Sequence, residues 1–138
     1  MPDQTNAHLP HHNVYLGASK IAGAGRGVFA GRDIKKGELI ETCPMVVIDK
    51  KFVRHLDKTE LQNYYFEWGD DFEHGAIALG FGSLYNHSFA PNAVFKQDFD
   101  GKVIRVTALE DIGKGMEITF NYNGEVDDKT PLWIKGIN

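Results

Sequence analysis

The stretch from Leu79 to Asn92 limits the folds open to this chain more than any other segment. It reads Leu-Gly-Phe-Gly-Ser-Leu-Tyr-Asn-His-Ser-Phe-Ala-Pro-Asn, so an apolar, strand-like run passes directly into Asn86-His87-Ser88 and then Pro91-Asn92. Asn and His beside apolar strands commonly satisfy backbone groups where chain segments cross tightly. Two further segments mix strand residues with special positions. Gly115-Met-Glu-Ile-Thr-Phe-Asn-Tyr122 is a strand-like run ending in a tyrosine. Gly23-Ala-Gly-Arg-Gly-Val-Phe-Ala30 is a glycine-rich turn leading into a strand.

The chain has 138 residues, the size of one ordinary domain, and its 42% hydrophobic content allows a full core. A net charge of −4 argues against a nucleic-acid binder, which presents a basic face, and is compatible with a basic protein tail as partner. Cys43 is the only cysteine, which excludes a disulfide framework or a cysteine-built zinc cluster within one chain. No metal site is expected, and a reduced intracellular setting is. No run approaches the roughly 18 apolar residues of a membrane span. The N-terminus lacks the basic segment and apolar core of a secretory signal. The Asn86-His-Ser88 sequon is therefore discounted as a glycosylation site. Residues 1–12, with His8, His11 and His12, read as a poorly ordered polar arm.

From Asn13 the pattern is mostly of short strands. Glu38–Thr42 and Met45–Ile48 are β-rich and broken by Pro44. Between residues 50 and 67, Phe52, Val53, Leu56, Leu61, Tyr64 and Tyr65 recur at helical spacing, which predicts one or two short helices. An acidic loop follows at 69–75. Strands return at 76–79, 93–97, 103–108 and 117–122, with Asp100-Gly101 marking a hairpin turn. Asp33-Ile-Lys-Lys-Gly37 and Asp111-Ile-Gly-Lys-Gly115 echo each other. Each reads as a turn with a left-handed glycine feeding a buried strand.

The Gly23-x-Gly25-x-Gly27 spacing suggests a dinucleotide loop, but Val28-Phe29-Ala30-Gly31 continues as strand and turn where that loop requires a helix. The glycines are either a plain turn or a place where backbone approaches a ligand closely.

Taken in order, the Gly23–Ala30 loop, the Asn86–Asn92 segment and the Gly115–Tyr122 strand resemble the core motifs of the SET-domain protein-lysine methyltransferases, across residues 14–135. Without cysteine-rich flanks, the chain is similar to the minimal SET proteins of viruses and bacteria. The resemblance implies a mainly β SET-domain (β-clip) fold of small curved sheets, with a short helical insert and a C-terminal pseudoknot. Residues 1–12 would be a flexible arm and 13–138 a single domain.

The resemblance also implies a cofactor, S-adenosylmethionine. Gly25, Arg26 and Gly27 match the loop that wraps its methionine end. Asn86 and His87 match residues that hold it, partly through backbone contacts to adenine. Trp133 matches a C-terminal aromatic that covers the cofactor, or else packs on the core. Tyr122 falls at the active-site tyrosine. Tyr64 (with Tyr65 as the alternative), Phe120 and Phe95 match walls of a channel for the substrate lysine. A phenylalanine at position 120 leaves room for di- or trimethylation. The substrate would be a protein with an exposed lysine, such as a histone-like tail. No direct nucleic-acid or membrane binding is implied, and there is room for a homodimer. The location would be intracellular: cytoplasmic if bacterial, the host nucleus if viral or eukaryotic.

The chemistry agrees with these placements. A lysine amine has a pKa of about 10.4 and must lose a proton before it attacks a sulfonium methyl. A narrow apolar channel lowers that pKa. Transfer needs amine, methyl and sulfur in line, and a protonated phenol near them acts as an orienting dipole. Asp70, Asp71 and Glu73 could steer a basic tail. Two other classes stay open: a non-catalytic SET-like protein-binding module, and a β-clip domain that binds a small polar ligand.

Overall fold

The computed structural model describes residues 13–132; the arm at 1–12 and Trp133 lie outside the described residues. The strands form two sheets. One has the order β1-β2-β9-β6, from β1 (Val14–Ala18), β2 (Arg26–Ala30), β6 (Asn86–His87) and β9 (Glu117–Phe120). The other has the order β4-β5-β3-β8-β7, from β3 (Leu39–Ile48), β4 (Tyr65–Trp68), β5 (His74–Ala78), β7 (Ala93–Asp98) and β8 (Val103–Ala108).

The register follows from side-chain alternation. On β8, Ile104, Val106 and Ala108 are buried while Arg105 faces out. On β9, Ile118, Thr119 and Phe120 are all buried, as for a strand covered on both faces. β9 lies between β2, which it meets antiparallel, and β6, which it meets in parallel with Asn86 opposite Thr119. This is the crossing that the Asn86–Asn92 stretch requires. Asn92 fastens it: its amide donates to the Glu117 carbonyl at 2.9 Å, and its oxygen accepts from the Thr119 N–H at 2.9 Å.

Three expectations about elements are corrected. Pro44 does not break a strand. It sits inside β3, where pairing passes from β8 (Leu39 to Pro44) to β5 (Met45 to Ile48). Its carbonyl bonds the Leu79 N–H beyond the end of β5, so the missing N–H faces a place where no ladder bond is required. The helical insert is shorter than its periodicity suggests. It comprises α1 (Lys50–Leu56), capped by the Asp49 side chain on the Lys51 N–H, and a 3-10 turn at Glu60–Asn63 capped by Thr59. Tyr65–Trp68 is the edge strand β4, because pairing with β5 buries Trp68 and tucks Phe66 against the core. Finally, β9 ends at Phe120 rather than Tyr122. Asn121 turns the chain, its oxygen accepting from the Asn123 N–H and its amide donating to the Asp128 carbonyl at 2.7 Å.

The two echoed turns do more than repeat. Gly37 and Gly115 have φ of 85° and 87°. Ile34 and Ile112 exchange both backbone hydrogen bonds at 2.8 Å. Asp33 accepts from the Lys114 N–H, and Asp111 accepts from the Lys36 N–H, each at 2.8 Å. The two copies clasp one another and so tie β3 to β9. No helix among the described residues is long and apolar enough to cross a membrane.

Candidate functional site

Tyr122 is held at both ends. Its backbone N–H donates to His87 Nδ1 at 3.0 Å, and its phenol donates to the carbonyl of Tyr85. The residues on either side of Asn86 therefore fix the tyrosine that follows β9. Tyr85 is 1% exposed, and its own hydroxyl donates to Glu41 at 2.8 Å. Glu41, itself 5% exposed, accepts on its other oxygen from the Phe81 N–H at 3.0 Å. Burial first, then the neighbouring Glu41, pushes the Tyr85 phenol well above its ordinary range, so it stays protonated and donates. Burial likewise pushes up the Cys43 thiol beside Glu41.

His87 is held neutral by burial, which lowers its pKa. Its Nδ1 accepts from Tyr122, so the ring proton belongs on Nε2. That Nε2 is buried and has no hydrogen-bond partner among the described residues. The ring stands edge-on to Phe89, with centroids 4.4 Å apart.

The Asn86 amide donates to the Arg26 carbonyl at 3.0 Å and to the Glu117 carboxylate at 2.8 Å; the second Glu117 oxygen accepts from Ser19 Oγ at 2.8 Å. Asn86 thus ties the glycine loop to β9. Gly27 is required by this network. A Cβ there would collide with the Glu117 carboxylate and lie 2.8 Å from the Asn86 amide nitrogen. The close approach at Gly27 is made by this chain's own side chains. Gly23 and Gly25 both have φ of 77°, where other residues are strained.

Two cavities meet at Tyr122. The larger, about 1030 Å³, is lined by Tyr64, Tyr65, Phe66, Tyr85, Phe95, Phe120 and Tyr122, among others. The ring of Phe95 lies 5.1 Å from that of Phe66 and 4.9 Å from that of Phe120, while Tyr85 and Phe120 are 5.1 Å apart. These rings form a nearly continuous apolar wall leading to Tyr122, 5.9 Å from Phe120. The Tyr65 hydroxyl donates to Asp57 at 2.9 Å. Burial and that bond push its pKa up to about 12. The smaller cavity, about 150 Å³, is lined by Ile21, Ala22, Ala24, Asn86, His87, Tyr122 and Leu132. Tyr122 and Leu132 belong to both, whereas Gly25, Arg26 and Gly27 border neither.

The smaller cavity fits part of a nucleoside cofactor. Its walls are apolar on the loop side, with Asn86 and His87 on the other; the His87 Nε2, unpartnered among the described residues, is itself buried.

A sequence model of the SET domain matches residues 25–123. The chain belongs to the SET-domain family. This SET domain is 32% identical over 99 residues to a Schizosaccharomyces pombe protein named histone-lysine N-methyltransferase, H3 lysine-37 specific; the match covers 71% of this chain and 66% of that protein. It is 34% identical over 124 residues to a variant-silencing SET domain-containing protein of Plasmodium falciparum, covering 78% of this chain and 5% of that one. The chain therefore spans less than two thirds of these relatives' lengths. Among solved structures, it is similar to Polycomb Repressive Complex 2 of Chaetomium thermophilum in an autoinhibited conformation bound to S-adenosylmethionine. That match has a TM-score of 0.68 and 25% identity, and covers 79% of this chain and 15% of that one.

Tyr122, Asn86, His87, Phe95, Phe120 and Tyr64 thus gather around the two cavities of the SET domain, and Trp133 lies outside the described residues. Sequence reasoning missed Glu41, Phe66, Tyr85 and Glu117. Glu41 carries a usable signal: a lone acid between Ile40 and Thr42 in a β-rich run, at a position that alternation does not turn to solvent.

Proposed function

We propose that this SET domain transfers a methyl group to the side-chain amine of a lysine in a protein substrate, with a histone-like basic tail as the first candidate. The observation that carries the reading is Tyr122 as the common wall of two cavities, one wide and aromatic, one small and beside His87. S-adenosylmethionine, held at Asn86, His87 and the part of the glycine loop that lines the small cavity (Ile21, Ala22 and Ala24), with Gly25, Arg26 and Gly27 behind it, would supply the electrophilic methyl.

The chain's own groups do the rest. Phe66, Phe95 and Phe120 give the lysine stem an apolar passage that disfavours the ammonium form and so promotes the neutral amine. Tyr64 closes the passage from the 3-10 turn. The Tyr122 phenol is oriented by its bond to the Tyr85 carbonyl, which directs its oxygen lone pairs elsewhere. They are suited to receive an amine N–H or a polarised methyl and hold it in line. Phe120 is 1% exposed and brings no hydroxyl to this point, which leaves room for an already methylated amine.

The test is mass spectrometry of mixed basic proteins incubated with the enzyme and S-adenosylmethionine. Wild type should add methyl groups to lysine, and Tyr122→Phe should lose on the order of 10²-fold in rate. Equal rates in the two proteins would remove Tyr122 from the mechanism.

A further inference from the structure

The net charge of −4 conceals an uneven distribution. Residues 50–58 hold Lys50, Lys51, Arg54, His55 and Lys58 against a single carboxylate, Asp57. They form α1 and the turn that follows it. At 3.6 residues per turn, Lys51, Arg54, His55 and Lys58 fall at i, i+3, i+4 and i+7, on one face. The opposite face carries Val53 and Leu56, which pack on β5, each 3.5 Å from where a Cβ at Gly75 would stand. The basic stripe therefore points away from the sheet, and all four of its residues are exposed.

Helix stability does not account for the stripe. Arg54 and His55 in the last turn complement the helix dipole, but Lys50 and Lys51 oppose it in the first turn, where no acid is present. Ion pairing does not account for it either. Asp49 accepts from the Lys51 N–H, Asp57 from the Tyr65 hydroxyl, and Glu73 from the Lys50 ammonium. Glu60 lies beyond the stripe, in the 3-10 turn. Among the described residues, Lys51, Arg54, His55 and Lys58 make no ion pair.

A convex row of long basic side chains suits a partner whose negative charges are themselves in a row, as nucleic-acid phosphates are. At 1.5 Å per residue the stripe spans about 10 Å, the length of about three nucleotides along one strand of a duplex. Phe52 separates duplex from single strand. It is 50% exposed, and single-strand binders stack bases on such rings. Here the Lys51 ammonium already lies over the ring, 5.2 Å from its centre, and His55 stands beside it at 6.3 Å, so Phe52 is not an open stacking platform.

We propose that the outer face of α1 is a docking surface for the phosphate backbone of double-stranded DNA, through Lys51, Arg54 and Lys58 with His55 beside them. The contact reads charge and not base sequence. The insert also lines the large cavity through Asp57, Gln62, Asn63 and Tyr64, so a duplex seated on α1 would lie beside the place where a substrate tail enters. That consequence rests on the methyl-transfer reading; the contact with DNA does not.

The experiment is fluorescence anisotropy of the full chain with a labelled mixed-sequence duplex. Wild type should bind with a Kd of about 10⁻⁴–10⁻⁶ M, and log affinity should fall against log salt with a slope of about −2.7, the value for three neutralised phosphates. The triple variant Lys51→Gln, Arg54→Gln, Lys58→Gln should lose at least about tenfold in affinity and most of the salt slope. It should unfold with wild type, because its substitutions are exposed and face away from β5. The triple variant Lys35→Gln, Lys36→Gln, Lys114→Gln makes the same change in net charge on the two clasped turns and should bind as wild type does. Equal losses in the two variants, or no salt-dependent binding by wild type, would overturn the docking surface. So would tighter binding of a single strand of the same length, which would mean base stacking, or of polyglutamate, which would mean an acidic protein as partner. A protein that methylates nothing and still binds duplex through the stripe would keep this surface while the methyl-transfer reading fails.

Discussion

Glu41 is the residue whose removal most directly tests how the site is held. It is 5% exposed and accepts from the Tyr85 hydroxyl at 2.8 Å and the Phe81 N–H at 3.0 Å. Glu41→Ala leaves both donors without their acceptor, one of them on a residue 1% exposed, and opens a void beside Cys43. Each stranded donor costs about 1–3 kcal/mol, with the half-buried Phe81 amide at the low end. The loss of the buried carboxylate's own desolvation cost offsets part of this. The net expectation is about 3 kcal/mol, or a fall in Tm of roughly 10 °C for a domain of this size. Glu41→Gln keeps one carbonyl acceptor and should lose about half as much. Thermal and urea unfolding of both variants and of Tyr85→Phe give the comparison. The Glu41→Gln/Tyr85→Phe double mutant should show a coupling of about 0.5–3 kcal/mol. A loss below about 1 kcal/mol for Glu41→Ala, or additive effects in the cycle, would refute the view that this buried pair fixes Tyr85 and, through its carbonyl, Tyr122.

Other outcomes follow from the same geometry. His87 has a folded pKa below its unfolded value of about 6.5, so the unfolded chain takes up the proton first. Its contribution to stability is complete above about 6.5 and is lost as pH falls below it; melting curves between pH 5 and 8 should show this drop in wild type and a smaller one in His87→Ala. Gly27→Ala places a Cβ against the Glu117 carboxylate and the Asn86 amide, so it should weaken S-adenosylmethionine binding, read by calorimetry, at least tenfold; unchanged affinity would uncouple the Asn86 network from the cofactor. Phe120→Tyr adds a hydroxyl where Tyr85, Phe95 and Tyr122 crowd the channel end, and should shift the product mixture toward monomethyl-lysine in intact-mass spectra.

Much of this architecture was legible before the fold was in view. The strands at 93–98 and 103–108 follow from alternation and a turn signal, although the left-handed residue of that turn is Lys102 rather than Gly101. The repeated Asp-Ile-x-Lys-Gly turns were visible as a pair, but their mutual clasp was not, because a cross-chain bond between Asp33 and the Lys114 N–H leaves no local trace. Residues 65–67 fell within the stretch read as helix because Tyr64 and Tyr65 continue the helical spacing; the edge of β5 decides otherwise, and pairing is a non-local fact. In the site, Asn86, His87 and Tyr122 stood out as unusual residues in short motifs. The groups that orient them did not. Tyr85 resembles any core aromatic until its carbonyl is seen beside the Tyr122 phenol, and Glu117 resembles a surface acid until Ser19 and Asn86 are seen on its two oxygens.

The most direct measurement is a crystal structure of the protein with S-adenosylhomocysteine and a lysine peptide bound together. The account predicts that the nucleotide reaches the small cavity beside His87, that the lysine stem threads past Phe95 and Phe120 from the large one, and that the amine and sulfur face each other within a few ångströms of the Tyr122 hydroxyl. A structure with both ligands bound and Tyr122 remote from the gap between them would contradict it.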